Sequence, residues 1–193
     1  MKKTIITICT ANRCRSIIAE FFLQHLLKER HLENEVEVKS AGIMADEYWN
    51  YYSKLISSFG CTKNLDEFYG VAPYSTTTSY LQKSGWEVEN YLSQEFTSAL
   101  AGAASLVIAM ENEQKQALQE RFPELSEKVF TLRELAGQDG HLLLEESYYK
   151  PEHDPADPHF VCYSDQYVQA SAREIELCLL QGFPRLVEII GFS

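Results

Sequence analysis

An α/β sandwich built on a parallel sheet is the architecture that this sequence of 193 residues predicts. Two patterns point to it. Short apolar, β-branched runs alternate with segments of helical spacing, and the first such run passes directly into a polar loop and then a helix. Thr4 to Ile8 is β-branched throughout, which marks a buried parallel strand. From Ser16 to Arg30 the residues Ile18, Phe21, Phe22, Leu26 and Leu27 fall at helical spacing. Val36 to Lys39 alternates and stops at Ser40-Ala41-Gly42, giving a second strand. Ser105 to Met110 supplies a third, followed by a polar helix from Glu111 to Arg121 that ends before Phe122-Pro123. Lys128 to Leu132 reads as the fourth strand. Gln166 to Leu180 is a helix, and helical spacing resumes from Phe183 to Ile190, with Pro184 marking a kink or a new start.

Composition sets the boundaries of this reading. Hydrophobic residues make up 45% and charged residues 23%, the balance of an ordinary globular chain. A chain of this length suits one domain and buries roughly 70% of its unfolded surface on folding. Seventeen Lys and Arg against twenty-eight Asp and Glu leave a net charge of −11, which argues against a nucleic-acid partner. A local positive pocket for one small anion is compatible with that balance. No apolar run approaches the ~18–20 residues of a membrane span, so no membrane partner is expected. The start at Met1-Lys2-Lys3 only imitates a signal peptide, because its apolar run is short and Thr-Ala-Asn-Arg follows. Five cysteines, odd in number and sparse, point to a reducing cytoplasm rather than a disulfide scaffold.

Two stretches break the alternation and read as insertions into a single domain spanning 1–193. The first, about 43–80, carries Tyr48, Trp49, Tyr51, Tyr52, Phe59, Phe68, Tyr69, Tyr74 and Tyr80. So many aromatics must pack on something, whether a pocket wall, a lid or a subunit interface. A wall or lid, with Tyr48 or Trp49 nearest the pocket, is favoured over a self-contained structural cluster. The second stretch, Ala136 to Pro155, is acidic and punctuated by Gly and Pro.

The chemistry concentrates in Cys9-Thr10-Ala11-Asn12-Arg13-Cys14-Arg15-Ser16, between the first strand and the first helix. Backbone N–H groups in such a turn point inward, and the helix N-terminus adds partial positive charge, so Thr10 to Ser16 can cradle a dianion. Arg15 can grip two phosphate oxygens with its planar fork. The same field favours the Cys9 thiolate as a nucleophile. Ser16 can donate to that thiolate and also cap the helix. The plainer alternative is a buried cysteine at a strand end beside a solvated arginine. Zinc binding by Cys9 and Cys14 is weaker, because no second Cys/His pair stands at ligand spacing. His25, His31, His141 and His153 form no constellation, and no metal or other cofactor is called for.

This Cys-x5-Arg-Ser loop, with its inner cysteine and the following Ile17-Ile18-Ala19-Glu20, resembles the low-molecular-weight protein tyrosine phosphatase family. The resemblance continues in order through Ser40-Ala41-Gly42, Gly85 to Thr97, Ala104 to Met110 and Asp157-Pro158-His159-Phe160. It implies a three-layer phosphatase I-like sandwich with a four-stranded sheet in the order 2-1-3-4. It implies Cys9 as nucleophile, Arg15 as phosphate ligand and Asp157 as general acid on an Asp-Pro-aromatic loop. Asp154, before Pro155, is the runner-up acid, or an ordinary solvated loop carboxylate. Ser40 becomes the partner of Asn12, whose backbone tolerates a left-handed conformation. Cys14 is either a trap for oxidised Cys9 or a small buried filler. Four positions depart from the family pattern, namely Ala11, Arg13, Ile17 and His159.

The implied activity is hydrolysis of phosphotyrosine in proteins, and of small aryl phosphates, through a cysteinyl-phosphate. Arsenate reduction would need relay cysteines after the third strand, and Glu111 to Pro123 contains none. Phosphoarginine as substrate conflicts with Arg13 at the pocket rim, which would repel a guanidinium. A non-catalytic phosphate-binding module would be expected to lack the nucleophile, the arginine or the acid, yet all three are present. Nothing in the sequence determines the oligomeric state.

Overall fold

A computed structural model of the protein describes residues 2–44, 69–139, 152–154 and 157–192, with 152–154 and 157–162 described by backbone alone. Strand β1 (Lys3–Cys9) is buried at every position except Lys3, as its β-branched sequence requires. It pairs in parallel with β2 (Val36–Gly42) on one side and β3 (Leu106–Ala109) on the other. Strand β4 (Val129–Thr131) pairs in parallel with β3, so the order is β2-β1-β3-β4. The sheet has the topology and parallel sense that the sequence implied.

The period-2 alternation of the strands divides the core into two layers. Ile5, Leu106 and Ile108 face helices α1 (Arg15–Glu29), α2 (Ser75–Lys83) and, after the other helices, α6 (Asp165–Ile189). Ile6, Ile8, Val107 and Val129 face the opposite side, against α3 (Ser98–Ala103) and α4 (Asn112–Arg121). Helix–sheet–helix layering therefore leaves the carboxyl end of β1 open at one edge of the sandwich. That opening is where the loop after Cys9 emerges.

Several boundaries differ from the sequence reading. Strand β2 continues through Ser40-Ala41-Gly42, because Thr7, Ile8 and Cys9 continue to pair with them. Strand β4 stops at Thr131, whose hydroxyl accepts from the Glu134 N–H while the Glu134 carboxylate accepts from the Thr131 N–H. This reciprocal cap starts the short helix α5 (Leu132–Leu135), which apolar periodicity alone did not separate from the strand. Helix α2 begins inside the aromatic stretch and runs past its end, hidden in sequence by its Ser/Thr-rich composition. Asp157 to Phe160, expected as a loop, instead opens strand β6 (Asp157–Cys162), antiparallel to β5 (Glu152–Asp154). Phe160 and Val161 favour extended backbone, and Pro158 near a strand start in a two-stranded ribbon removes no ladder bond from a central position.

Helix α6 is continuous over 25 residues, so Pro184 neither breaks nor restarts it. Its close approach to α5 depends on Gly182, where an added Cβ would stand 2.9 Å from the Leu135 carbonyl carbon. Gly182→Ala should therefore separate α6 from α5 and destabilise the protein by about 1–3 kcal/mol, read by chemical denaturation. An unchanged midpoint would show that the contact relaxes freely.

Candidate active site

The loop joining β1 to α1 folds around one residue with a left-handed backbone. Asn12 has φ 52, and its side chain is completely buried. Its amide donates to Ser16 Oγ at 3.0 Å and to Ser40 Oγ at 2.7 Å, while its carbonyl accepts from the Gln94 N–H at 2.9 Å. Neighbouring strand and connection are thereby tied to the loop from below. Gly42 makes the close packing possible, since a Cβ there would lie 2.7 Å from the Thr10 carbonyl oxygen.

Cys9 and Cys14 are both buried. Cys9 Sγ lies 3.0 Å from Ser16 Oγ, close enough for the hydroxyl to stabilise a thiolate. Ser16 does not cap α1, contrary to the expectation, because its hydroxyl is taken up by Cys9 and Asn12. Cys14 holds the N-cap position without a side-chain cap, so the first turn of α1 directs its N–H groups and positive partial charge towards the loop.

Arg15 is buried and paired with the Glu111 carboxylate. Burial opposes its charge, but Glu111, Tyr167, Tyr163 and Cys9 together hold its pKa well above the ordinary value. Gln114 fixes the other end of this pair, donating to Glu111 Oε2 at 3.1 Å and to Thr10 Oγ1 at 3.2 Å. Glu111 and Gln114 went unnoticed in the sequence, where they read as ordinary positions of a polar helix. A carboxylate directly after the third strand was the available signal.

Above Cys9 a small cavity is lined by Thr10, Ala11, Arg13, Cys14 and Arg15, with Tyr74 and Tyr163 as its aromatic walls. Arg13 is buried rather than set on an open rim. Its Nε donates to the Ala72 carbonyl at 2.8 Å and its guanidinium lies 4.2 Å from the Tyr74 ring centroid. Tyr163 stacks on Tyr167 with centroids 4.2 Å apart, and burial pushes the Tyr167 hydroxyl up to about 12. Tyr69, also from the aromatic stretch, donates to the Thr10 carbonyl at 3.2 Å. Tyr48 and Trp49 lie outside the described residues. Asp154 and Asp157 pair with each other where β5 meets β6, and their side chains also lie outside the described residues.

Ser40 continues the loop's support inward. It shares a short hydrogen bond with Tyr91, whose hydroxyl donates to Glu20 Oε2 at 3.0 Å. Burial raises the Glu20 pKa, overcoming the hydrogen bonds from Ser40 and Tyr91 that lower it. A carboxyl with a raised folded pKa contributes stability that is complete below its unfolded pKa and is lost as pH rises through the folded one. Glu20→Gln should remove that slope. The variant should gain stability relative to the parent as pH rises above the ordinary carboxyl range, measured by urea denaturation at stepped pH. Parallel pH profiles for the two proteins would contradict the assignment.

The sequence matches the family described as Low molecular weight phosphotyrosine protein phosphatase over residues 4–55 and 68–164. The unmatched residues 56–67 fall inside the aromatic stretch. The Protein-arginine-phosphatase of Bacillus subtilis (strain 168) is 29% identical over 143 residues, spanning 72% of this chain and 77% of its own. A Probable low molecular weight protein-tyrosine-phosphatase EpsP of Ralstonia nicotianae is 28% identical over 135 residues, spanning 70% and 74%. The solved low molecular weight protein tyrosine phosphatase from T. tengcongensis has the same fold, with a TM-score of 0.68 at 20% identity over 95% of this chain and 99% of that one. With a family match over most of its length, this chain belongs to the low molecular weight phosphotyrosine protein phosphatases.

Proposed function

We propose that the protein hydrolyses phosphotyrosine in proteins, and small aryl phosphates, through a cysteinyl-phosphate on Cys9. The observation that carries this reading is the placement of Cys9 Sγ, 3.0 Å from Ser16 Oγ, beneath a cavity walled by Tyr74 and Tyr163. In the first step the Cys9 thiolate attacks phosphorus and the ester P–O bond breaks, with Asp157 giving its proton to the departing phenolate oxygen. In the second, Asp157 takes a proton from water as that water attacks phosphorus, releasing phosphate and restoring the thiolate. Arg15 and the loop N–H groups stabilise the charge on the equatorial oxygens in both steps. For Arg15 to do so, its fork must share itself between the phosphate and Glu111, which makes Glu111 a positioning residue. Asp157 stands at the start of β6, six positions before Tyr163, so its role requires the hairpin tip to approach the cavity. A reducing cytoplasm suits a mechanism that depends on a free thiolate.

Cys9→Ser should abolish turnover of para-nitrophenyl phosphate, by about 10³-fold or more, while anion binding survives. Arg15→Ala should damage both. Asp157→Asn should slow turnover by roughly 10²-fold, most strongly for poor leaving groups. If only Asp154→Asn has that effect, Asp154 is the acid.

Phosphoarginine is the second reading, supported by the arginine phosphatases of Bacillus subtilis and Geobacillus stearothermophilus at 29% and 30% identity. Against it stands Arg13, whose guanidinium already covers the Tyr74 ring. A substrate guanidinium entering the same cavity would meet like charge there, whereas a neutral aryl ring would not. The parent protein should accordingly show a higher kcat/KM for a phosphotyrosine peptide than for a phosphoarginine peptide of the same sequence. Arg13→Ala should narrow that ratio by roughly tenfold. A parent that prefers phosphoarginine would reverse the assignment.

A further inference from the structure

The far end of α1 carries a second cleft, roughly 15–20 Å along the helix from Arg15 at 1.5 Å per residue. It lies between α1, α2 and α6 and encloses about 470 Å³. Phe22, Tyr80, Trp86 and Leu180 form its apolar walls, and Glu29 and Glu176 its charges. The loop and its chemistry contribute nothing to this lining.

The aromatic wall is held rigidly. Trp86 stacks on Phe21 with centroids 5.4 Å apart and receives Phe22 edge-on at 4.9 Å. The cleft's charge balance is acidic. Glu29 faces His25 at 3.4 Å, an exposed pair whose histidine carries charge only when protonated. Glu176 lies close enough to Tyr80 to raise its hydroxyl pKa, with burial the larger cause; Arg173, one turn earlier on α6, opposes it. Arg173 does not line the cleft. Leu180, half exposed, and Leu177, 59% exposed, continue the apolar surface along α6. Aromatic faces beside carboxylates in a chain of net charge −11 favour one ligand chemistry, an organic cation with a flat or apolar body.

We propose that this cleft is a binding site for an arginine side chain of a basic peptide segment, the guanidinium stacking on the Trp86–Tyr80 wall and pairing with Glu176 and Glu29. Arginine fits better than lysine, because its planar fork can stack and donate to two carboxylates at once, and it is less strongly hydrated. Such a site would hold a protein partner or the flank of a protein substrate while the loop remains free. It stands independently of the substrate assigned to Cys9.

The test is an NMR titration of the full-length protein with an acetylated, amidated Gly-Arg-Gly-Arg peptide, against the same peptide with citrulline in place of arginine. Saturable shifts of the Trp86 indole N–H and of α1 residues near Phe22 are expected with arginine only. Glu176→Gln combined with Glu29→Gln should weaken binding about tenfold. The same variant should retain parental turnover of para-nitrophenyl phosphate, which controls for folding. Absence of saturable shifts, equal binding of the citrulline peptide, or shifts confined to residues around Cys9 would each overturn the proposal. Because binding is read without turnover, its failure is distinct from a failure of the phosphatase assignment.

Discussion

Asn12 sits at φ 52 in the middle of the loop, a conformation that costs a non-glycine residue free energy unless side-chain bonds recover it. Its amide group makes three hydrogen bonds, to Ser16, Ser40 and the backbone of Gln94. One side chain thus holds α1, β2 and the connection before α3 at fixed distances from Cys9. The turn it enforces is held by protein bonds alone. Tyr91 and Glu20 back Ser40 from the interior, at the expense of burying a carboxylate. Preorganisation of this kind is what electrostatic catalysis requires, since donors already in place need no reorganisation when charge develops.

Charge in the site is balanced by the same economy of parts. Glu111 holds the Arg15 guanidinium beside the cradle, and Gln114 links Glu111 to Thr10 at the opposite side of the loop. Arg15 is therefore desolvated and oriented by protein contacts alone. Arg13 is held differently from Arg15. Turned inward over Tyr74 and anchored at Ala72, it places a fixed positive charge on the aromatic wall rather than in solvent. Two arginines of one loop, separated only by Cys14, thereby take different partners, Arg15 the Glu111 carboxylate and Arg13 the Tyr74 ring.

Most of the site's chemistry was legible because it is local. Cys9, Asn12, Arg15 and Ser16 lie within eight consecutive residues between a strand and a helix, and their spacing alone brings them to one anion-sized turn. Ser40 could be assigned to Asn12 only through resemblance, since 28 residues separate them. Glu111, Gln114, Tyr91 and Tyr163 escaped notice for the same reason. Each reaches the loop across a sheet or helix boundary, and nothing in their own neighbourhoods marks them as different from surface or core residues. Strand β6 stands where the Asp-Pro pair and the family resemblance suggest a loop, and helix α2 begins within a stretch whose aromatic content shows no helical period.

By itself the sequence determined the layered α/β class, the parallel sense of the sheet and the place of the Cys9–Ser16 loop between the first strand and the first helix. Those follow from hydrophobic period and from residues adjacent in the chain, which interact whatever the rest of the fold does. Only the tertiary structure decided which face each side chain serves. It took Ser16 from helix cap to partner of Cys9 Sγ, turned Arg13 inward onto Tyr74, and set Glu111 against Arg15. These are contacts between elements, and their existence depends on packing that brings residues as far apart as 15 and 111 within hydrogen-bond reach.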